Sequence, residues 1–192
     1  MEWKLLTKAD FVTTNWSGGT TTQLSIAPEG AVYANRDFLW RISSATVELD
    51  HSDFTPLPNY NRFLAALEGE IKLKIDGDEP FQLAPGRVVA FDGGVPVESW
   101  GKCVDFNLMV RKGKAVGEVT AVYRDQAYEE NWNPGAGTCD LAVYCVSGNV
   151  RLPEFGVEAE AGQFLLCRGG QAGPVKLAGE AGAVMLAAVR EA

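Results

Sequence analysis

The chain has 192 residues, 46% of them hydrophobic, and a net charge of −8 at neutral pH. That is enough apolar material for one large β domain or two small intimate ones, and too much for a disordered segment. The acidic balance, with no basic run against it, excludes nucleic acid as a partner; no stretch approaches the ~18 consecutive apolar residues of a membrane span, so no membrane partner is expected either.

Met1-Glu2-Trp3-Lys4 lacks the charged and apolar regions of a signal peptide, so a cytoplasmic protein is expected. Helical periodicity is scarce along the chain, while short β-branched or aromatic runs are broken by Gly, Pro, Asp and Asn. Strands are predicted at 20–27, 38–49, 63–67, 71–75, 88–91, 104–110, 141–146, 164–167 and 183–189. Turn signals separate them at Asp76-Gly77-Asp78, Pro85-Gly86 and Asp92-Gly93-Gly94.

The candidate functional residues appear in the same order. Gly18-Gly19 precedes a threonine-rich strand; paired glycines allow exposed amides to hold an anion, or simply make a tight turn into an edge strand. Alternation in the strand from Phe38 puts Leu39, Arg41, Ser43, Ala45 and Val47 on one face. Arg41 on that face either emerges at a strand end to pair with a surface acid or lines a barrel mouth, where its planar donors grip a carboxylate. Arg62, entering the next strand, either bonds backbone carbonyls or faces the same cavity. Asp105, Asn107 and Met109 alternate with Phe106, Leu108 and Val110; Asn107 then ties two strands together or offers a donor and an acceptor to a ligand. The cluster Phe54, Tyr60, Phe63 and Phe81 reads as core.

Metal and catalytic chemistry find little support. The chain has a single histidine, His51, in the polar stretch Leu49-Asp50-His51-Ser52-Asp53, which reads as a solvated turn. No metal site and no cofactor are expected, and no catalytic residues can be singled out. The four cysteines, widely spaced among apolar neighbours and without a CxxC pair, read as buried thiols.

An internal repeat organises the strands. Leu67-Glu68-Gly69-Glu70-Ile71-Lys72-Leu73 matches Val146-Ser147-Gly148-Asn149-Val150-Arg151-Leu152, and Pro85-Gly86-Arg87-Val88 matches Ala161-Gly162-Gln163-Phe164. The order of strands, glycines and turns resembles the cupin jelly roll. An all-β fold of two cupin-like halves is therefore expected, a double-stranded β-helix in residues 1–114 and another in 115–192.

The motifs Trp16-Ser17-Gly18-Gly19-x-Thr21, Trp40-Arg41-Ile42-Ser43-x-Ala45, Phe54-x-x-Leu57-Pro58-x-Tyr60-x-Arg62, Phe91-Asp92-Gly93 and Asp105-Phe106-Asn107-Leu108-Met109, in that order, resemble the HutD/Ves family. The resemblance implies a metal-free bicupin, frequent dimerisation, no established catalytic activity, and a role in histidine utilisation through binding an intermediate such as formiminoglutamate. The chain departs from the family's Asn-Gly-Gly-Gly-x-Thr-Arg-Glu pattern at Trp16-Ser17-Gly18-Gly19-Thr20-Thr21-Thr22-Gln23. The expected function is binding of a small acidic or amide-bearing metabolite by Arg41, Ser43, Arg62, Asn107, Gly18 and Gly19, in a cytoplasmic homodimer. Two rivals stand beside it: a metal-free isomerase or hydrolase of a small polar substrate, and an interaction protein whose barrels are filled by their own side chains.

Overall fold

The computed structural model describes residues 1–192, the side chain of Ala172 excepted. After β1 (Lys4–Leu6) come the ten strands of the first compact unit, Val12–Ala115. They are β2 (Val12–Trp16), β3 (Gly19–Ala27), β4 (Trp40–Val47), β5 (His51–Asp53), β6 (Tyr60–Glu68), β7 (Ile71–Ile75), β8 (Phe81–Leu83), β9 (Val88–Asp92), β10 (Val97–Trp100) and β11 (Cys103–Arg111). A 3-10 turn at Tyr33–Asn35 interrupts the connection from β3 to β4. The strands form a six-stranded sheet, β2-β3-β4-β11-β6-β9, and a four-stranded sheet, β5-β10-β7-β8.

The second unit joins Met1–Phe11 to Val116–Ala192. Its strands are β12 (Ala115–Arg124), β13 (Tyr128–Trp132), β14 (Gly137–Ser147), β15 (Asn149–Leu152), β16 (Val157–Glu160), β17 (Phe164–Ala172), β18 (Val175–Gly179) and β19 (Gly182–Glu191). They make a five-stranded sheet, β1-β17-β14-β19-β12, and a four-stranded one, β13-β18-β15-β16. The sequence places the division between residues 114 and 115 and counts 1–11 with the first half. In the structure those residues go with the second, because Lys4–Leu6 pairs antiparallel with Phe164–Leu166 and extends that sheet.

Strand order is the same in the two units once matching strands are set side by side. The order β9-β6-β11-β4 corresponds to β17-β14-β19-β12, and β8-β7-β10-β5 to β16-β15-β18-β13. The repeated glycines show why the sequence is constrained there. Gly69 and Gly148 both sit at positive φ (75° and 72°), and a Cβ on either would lie 2.6 Å from Lys102 O or 2.3 Å from Ala181 O. Only glycine lets the chain leave β6 or β14 and re-enter the opposing sheet against that carbonyl.

The nine predicted segments fall on β3, β4, β6, β7, β9, β11, β14, β17 and β19, and ten strands lie outside them, two of which show why. His51–Asp53, read as a turn, forms β5, pairing with Glu98–Trp100 of β10. The ten-residue β12 escaped the pattern because it lies at the edge of its sheet, where many positions are half-exposed and the alternation is blurred. Inside the first unit Leu64, Leu73 and Leu83 are fully buried and contribute roughly 2 kcal/mol each through burial.

Candidate functional site

The side chains that sequence alternation sets apart converge on one cavity of about 370 Å³ in the Val12–Ala115 unit. Its wall is the face of β4, β11 and β6 that carries Arg41, Ser43 and Ala45; Met109, Asn107 and Asp105; and Arg62. Register fixes the rows. Met109 lies opposite both Arg41 on β4 and Arg62 on β6; Asn107 lies opposite Ser43 and Leu64; Asp105 lies opposite Ala45 and Ala66. Polar side chains thus occupy the middle of a sheet, and all five of Arg41, Ser43, Arg62, Asp105 and Asn107 are buried.

Arg41 is held by the neighbouring strand β3 and by its own strand. Its Nε donates to Gln23 Oε1 (2.8 Å) and its Nη1 to Ser43 Oγ (3.1 Å), while the guanidinium lies 4.1 Å from the centroid of the Tyr33 ring. Arg36 packs on the same ring at 3.8 Å. It adopts the left-handed region (φ 56°) just after the 3-10 turn, its N–H bonding Tyr33 O, and its Nη1 is buried without a partner. Burial pushes the Arg41 pKa down, opposed by Tyr33 and reinforced by the charge of Arg36.

Arg62 differs. Its guanidinium lies 4.9 Å from the Phe54 ring centroid and 5.5 Å from that of Phe91, so it is packed against aromatic faces. Among the described residues it has no hydrogen-bond acceptor, and its Nε is fully enclosed. Burial brings its pKa down to about 10. Asp105 accepts one hydrogen bond, from the Ala45 N–H at 3.0 Å, and burial lifts its pKa to about 6 against the pull of that bond and of Arg62 and Arg41. Asn107 Oδ1 is also buried and unpartnered.

The structure therefore brings Arg41, Ser43, Arg62 and Asn107 together. Ser43 is occupied as the acceptor that positions Arg41. Gly18 and Gly19 are not in the lining; they make the turn from β2 to β3, where a Cβ on Gly19 would meet Thr46 O at 1.9 Å and one on Gly18 would strike the Trp16 ring at 2.0 Å. Of the aromatic cluster read as core, Tyr60 is buried and stacked on Phe38 with centroids 4.3 Å apart, whereas Phe54 lines the cavity under Arg62. Tyr33 and Arg36 come from an irregular segment, and no periodicity could have placed them. Asp105 was legible, since it alternates with Asn107.

Register also explains why the cavity belongs to this unit. Matching Leu67 with Val146 sets Arg62 against Leu141, Asn107 against Leu186 and Asp105 against Val184. Leu141, Val184 and Leu186 join Val143, Leu165 and Cys167 in a buried apolar cluster. The same fold is filled with hydrocarbon in one unit and lined with charge in the other.

One other group has metal-ligand chemistry among the described residues: potential ligand atoms of His51, Asp53 and Glu98 lie within 4.8 Å of one another. His51 and Asp53 are exposed, and Lys74 Nζ sits 3.4 Å from Glu98 Oε1, opposing a cation there. Asp50, the carboxylate that precedes His51, pairs with Lys102 at 3.7 Å. All four cysteines are free and buried, and burial raises each thiol, Cys103 to about 12.

The HutD family profile matches residues 8–185. Among solved structures, HutD from Pseudomonas fluorescens SBW25 is 21% identical with a TM-score of 0.78, covering 100% of both chains. A conserved protein of unknown function from Pseudomonas aeruginosa PAO1 is 22% identical with a TM-score of 0.75, covering 100% of this chain and 99% of that one. The nickel(II) complex of a bacterial pirin from Escherichia coli is 12% identical with a TM-score of 0.69, covering 97% and 98%. No curated protein sequence matches. With its profile match running through both units and its all-β cupin-like fold, the chain belongs to the HutD family.

Proposed function

We propose that the Val12–Ala115 unit binds a small organic acid, with Arg62 and Arg41 holding its carboxylate. The observation that carries this reading is Arg62, a residue only 6% exposed whose Nε is fully enclosed without a hydrogen-bond acceptor among the described residues. A buried charge left unpaired costs several kcal/mol, and a carboxylate in the cavity accepts from it in a fixed, forked geometry. The chain's charge of −8 repels anions at long range, while Arg36, Arg41 and Arg62 outnumber Asp53 and Asp105 around the cavity and leave its lining positive. Membership of the HutD family supports a narrower form, in which the acid is an intermediate of histidine utilisation such as formiminoglutamate and binding restrains the pathway. The exposed edge strand β2 supports a homodimer built by strand pairing.

Calorimetric titration of the protein with formiminoglutamate, urocanate, glutamate and formate tests the reading. At least one acid binds the wild type and fails to bind Arg62→Leu. Binding that survives this substitution places the ligand elsewhere.

A further inference from the structure

The cavity holds two buried charges of opposite sign that do not satisfy each other. Arg62 has no hydrogen-bond acceptor and Asp105 has only the Ala45 N–H; among the described residues neither belongs to an ion pair. Such a pair left apart inside one protein is costly, since each charge would be relieved by contact with the other. Their rows are separated on β11, Arg62 standing opposite Met109 and Asp105 two rows further along, with Asn107 between them. Rows on one face are spaced by ~7 Å along a strand. Arg41 leans toward the Asn107 row, since its Nη1 bonds Ser43 opposite Asn107. The Asp105 row is flanked by Ala45, which lines the cavity beside it, and by the buried Ala66.

From this arrangement we propose that the ligand is bipolar, with a carboxylate at the Arg62 and Arg41 end and a cationic nitrogen group, amino, amidino or guanidino, at the Asp105 and Asn107 end. This rests on the organic-acid reading above and adds the second pole. An ionised Asp105 is an acceptor only, and the unpartnered Asn107 Oδ1 is a second acceptor beside it. Together they call for N–H donors. A second carboxylate at that end would face Asp105 as a like charge, and a plain acid would leave Asp105 as it is.

The probes are butyrate, glutarate and 4-guanidinobutanoate, which share a carboxylate and differ at the far end. Their affinities are measured by calorimetry on the full chain at pH 7.5. The guanidino acid is expected to bind about tenfold or more tighter than butyrate, the range of a charge-assisted hydrogen bond. In Asp105→Asn that advantage, read as the ratio of the two affinities on the same variant, falls to about one. Should this variant fail to fold, the wild type serves: the advantage shrinks at pH 5, because Asp105 titrates near 6. The charged and titratable groups around it are Cys103 on its own strand, Arg41 on β4, Arg62 on β6, Asp53 on β5, and Tyr33 and Arg36 from the connection before β4. Of these, Asp105 is the group whose shifted titration falls in that window. Equal binding of butyrate and the guanidino acid, or tighter binding of glutarate, overturns the bipolar ligand and leaves the organic-acid reading standing. If none of the three binds, or if binding is indifferent to Arg62→Leu, both fail.

Discussion

Replacing Arg62 with leucine should make the protein more stable while removing its response to acids. A guanidinium whose pKa is drawn down from its ordinary value to about 10 on folding carries its charge into the fold at a cost of about 3 kcal/mol. The sign follows from linkage: a cation with a lowered folded-state pKa destabilises the fold at every pH below about 10, and the penalty is released only as pH rises from there towards the unfolded chain's pKa. Against this, leucine forfeits the contacts of the guanidinium with Phe54 and Phe91, worth roughly 1–2 kcal/mol. The net gain is about 1–2 kcal/mol, a rise of ~2–8 °C in melting midpoint for a chain of this size. Calorimetric melts of both proteins near pH 7, with and without the best-binding acid, read it directly. A midpoint that falls by several degrees, with the ligand-induced rise intact, would show that Arg62 is satisfied by the fold and would refute the reasoning.

Asp105 gives a pH-dependent counterpart. Because its folded-state pKa is raised from 3.8 to about 6, the folded protein binds the extra proton between those values, and its contribution to stability is lost as pH rises through about 6. Going from pH 7 to pH 5 should stabilise the wild type by about 1 kcal/mol relative to Asp105→Asn; denaturant melts at both pH values measure the difference, and parallel profiles would contradict it. Gly148→Ala and Gly69→Ala should each cost about 2 kcal/mol or more, from positive φ and from contact with Ala181 O and Lys102 O; loss of either without a change in melting would undo the equivalence of the two repeats. The four thiols should be silent to a disulfide reagent in the folded protein and react together in denaturant, and a fast-reacting thiol in the native state would contradict their burial.

Much of the fold was legible because β-branched alternation and paired glycines are local signals. Gly69 and Gly148 mark the same sharp exit from a strand in both units, and a match of a few residues around them located the duplication. Alternation also put Arg41 with Ser43, and Asp105 with Asn107, on one face each, which is where register then joins them. What alternation cannot supply is partnership across space. Nothing near Arg62 in sequence says that it lies over Phe54 and Phe91 without an acceptor, and nothing near Ser43 says that its hydroxyl is committed to Arg41. Gly18-Gly19 shows the converse: a pair compatible with anion binding is required by the backbone of Thr46 and the ring of Trp16. Tyr33 and Arg36 lie in an irregular segment, and β1 crosses to the second unit by a pairing that its three residues do not announce.

The most direct test of acid binding by this unit is a thermal-shift measurement on chelator-treated protein with formiminoglutamate, urocanate, glutamate and formate, and separately with divalent metals. A ligand at a hundred times its dissociation constant adds about 2.7 kcal/mol, which a melting midpoint resolves easily. A rise with at least one organic acid, present without metal and absent in Arg62→Leu, is the expected result; no rise with any acid, or a rise with metal alone, would contradict it.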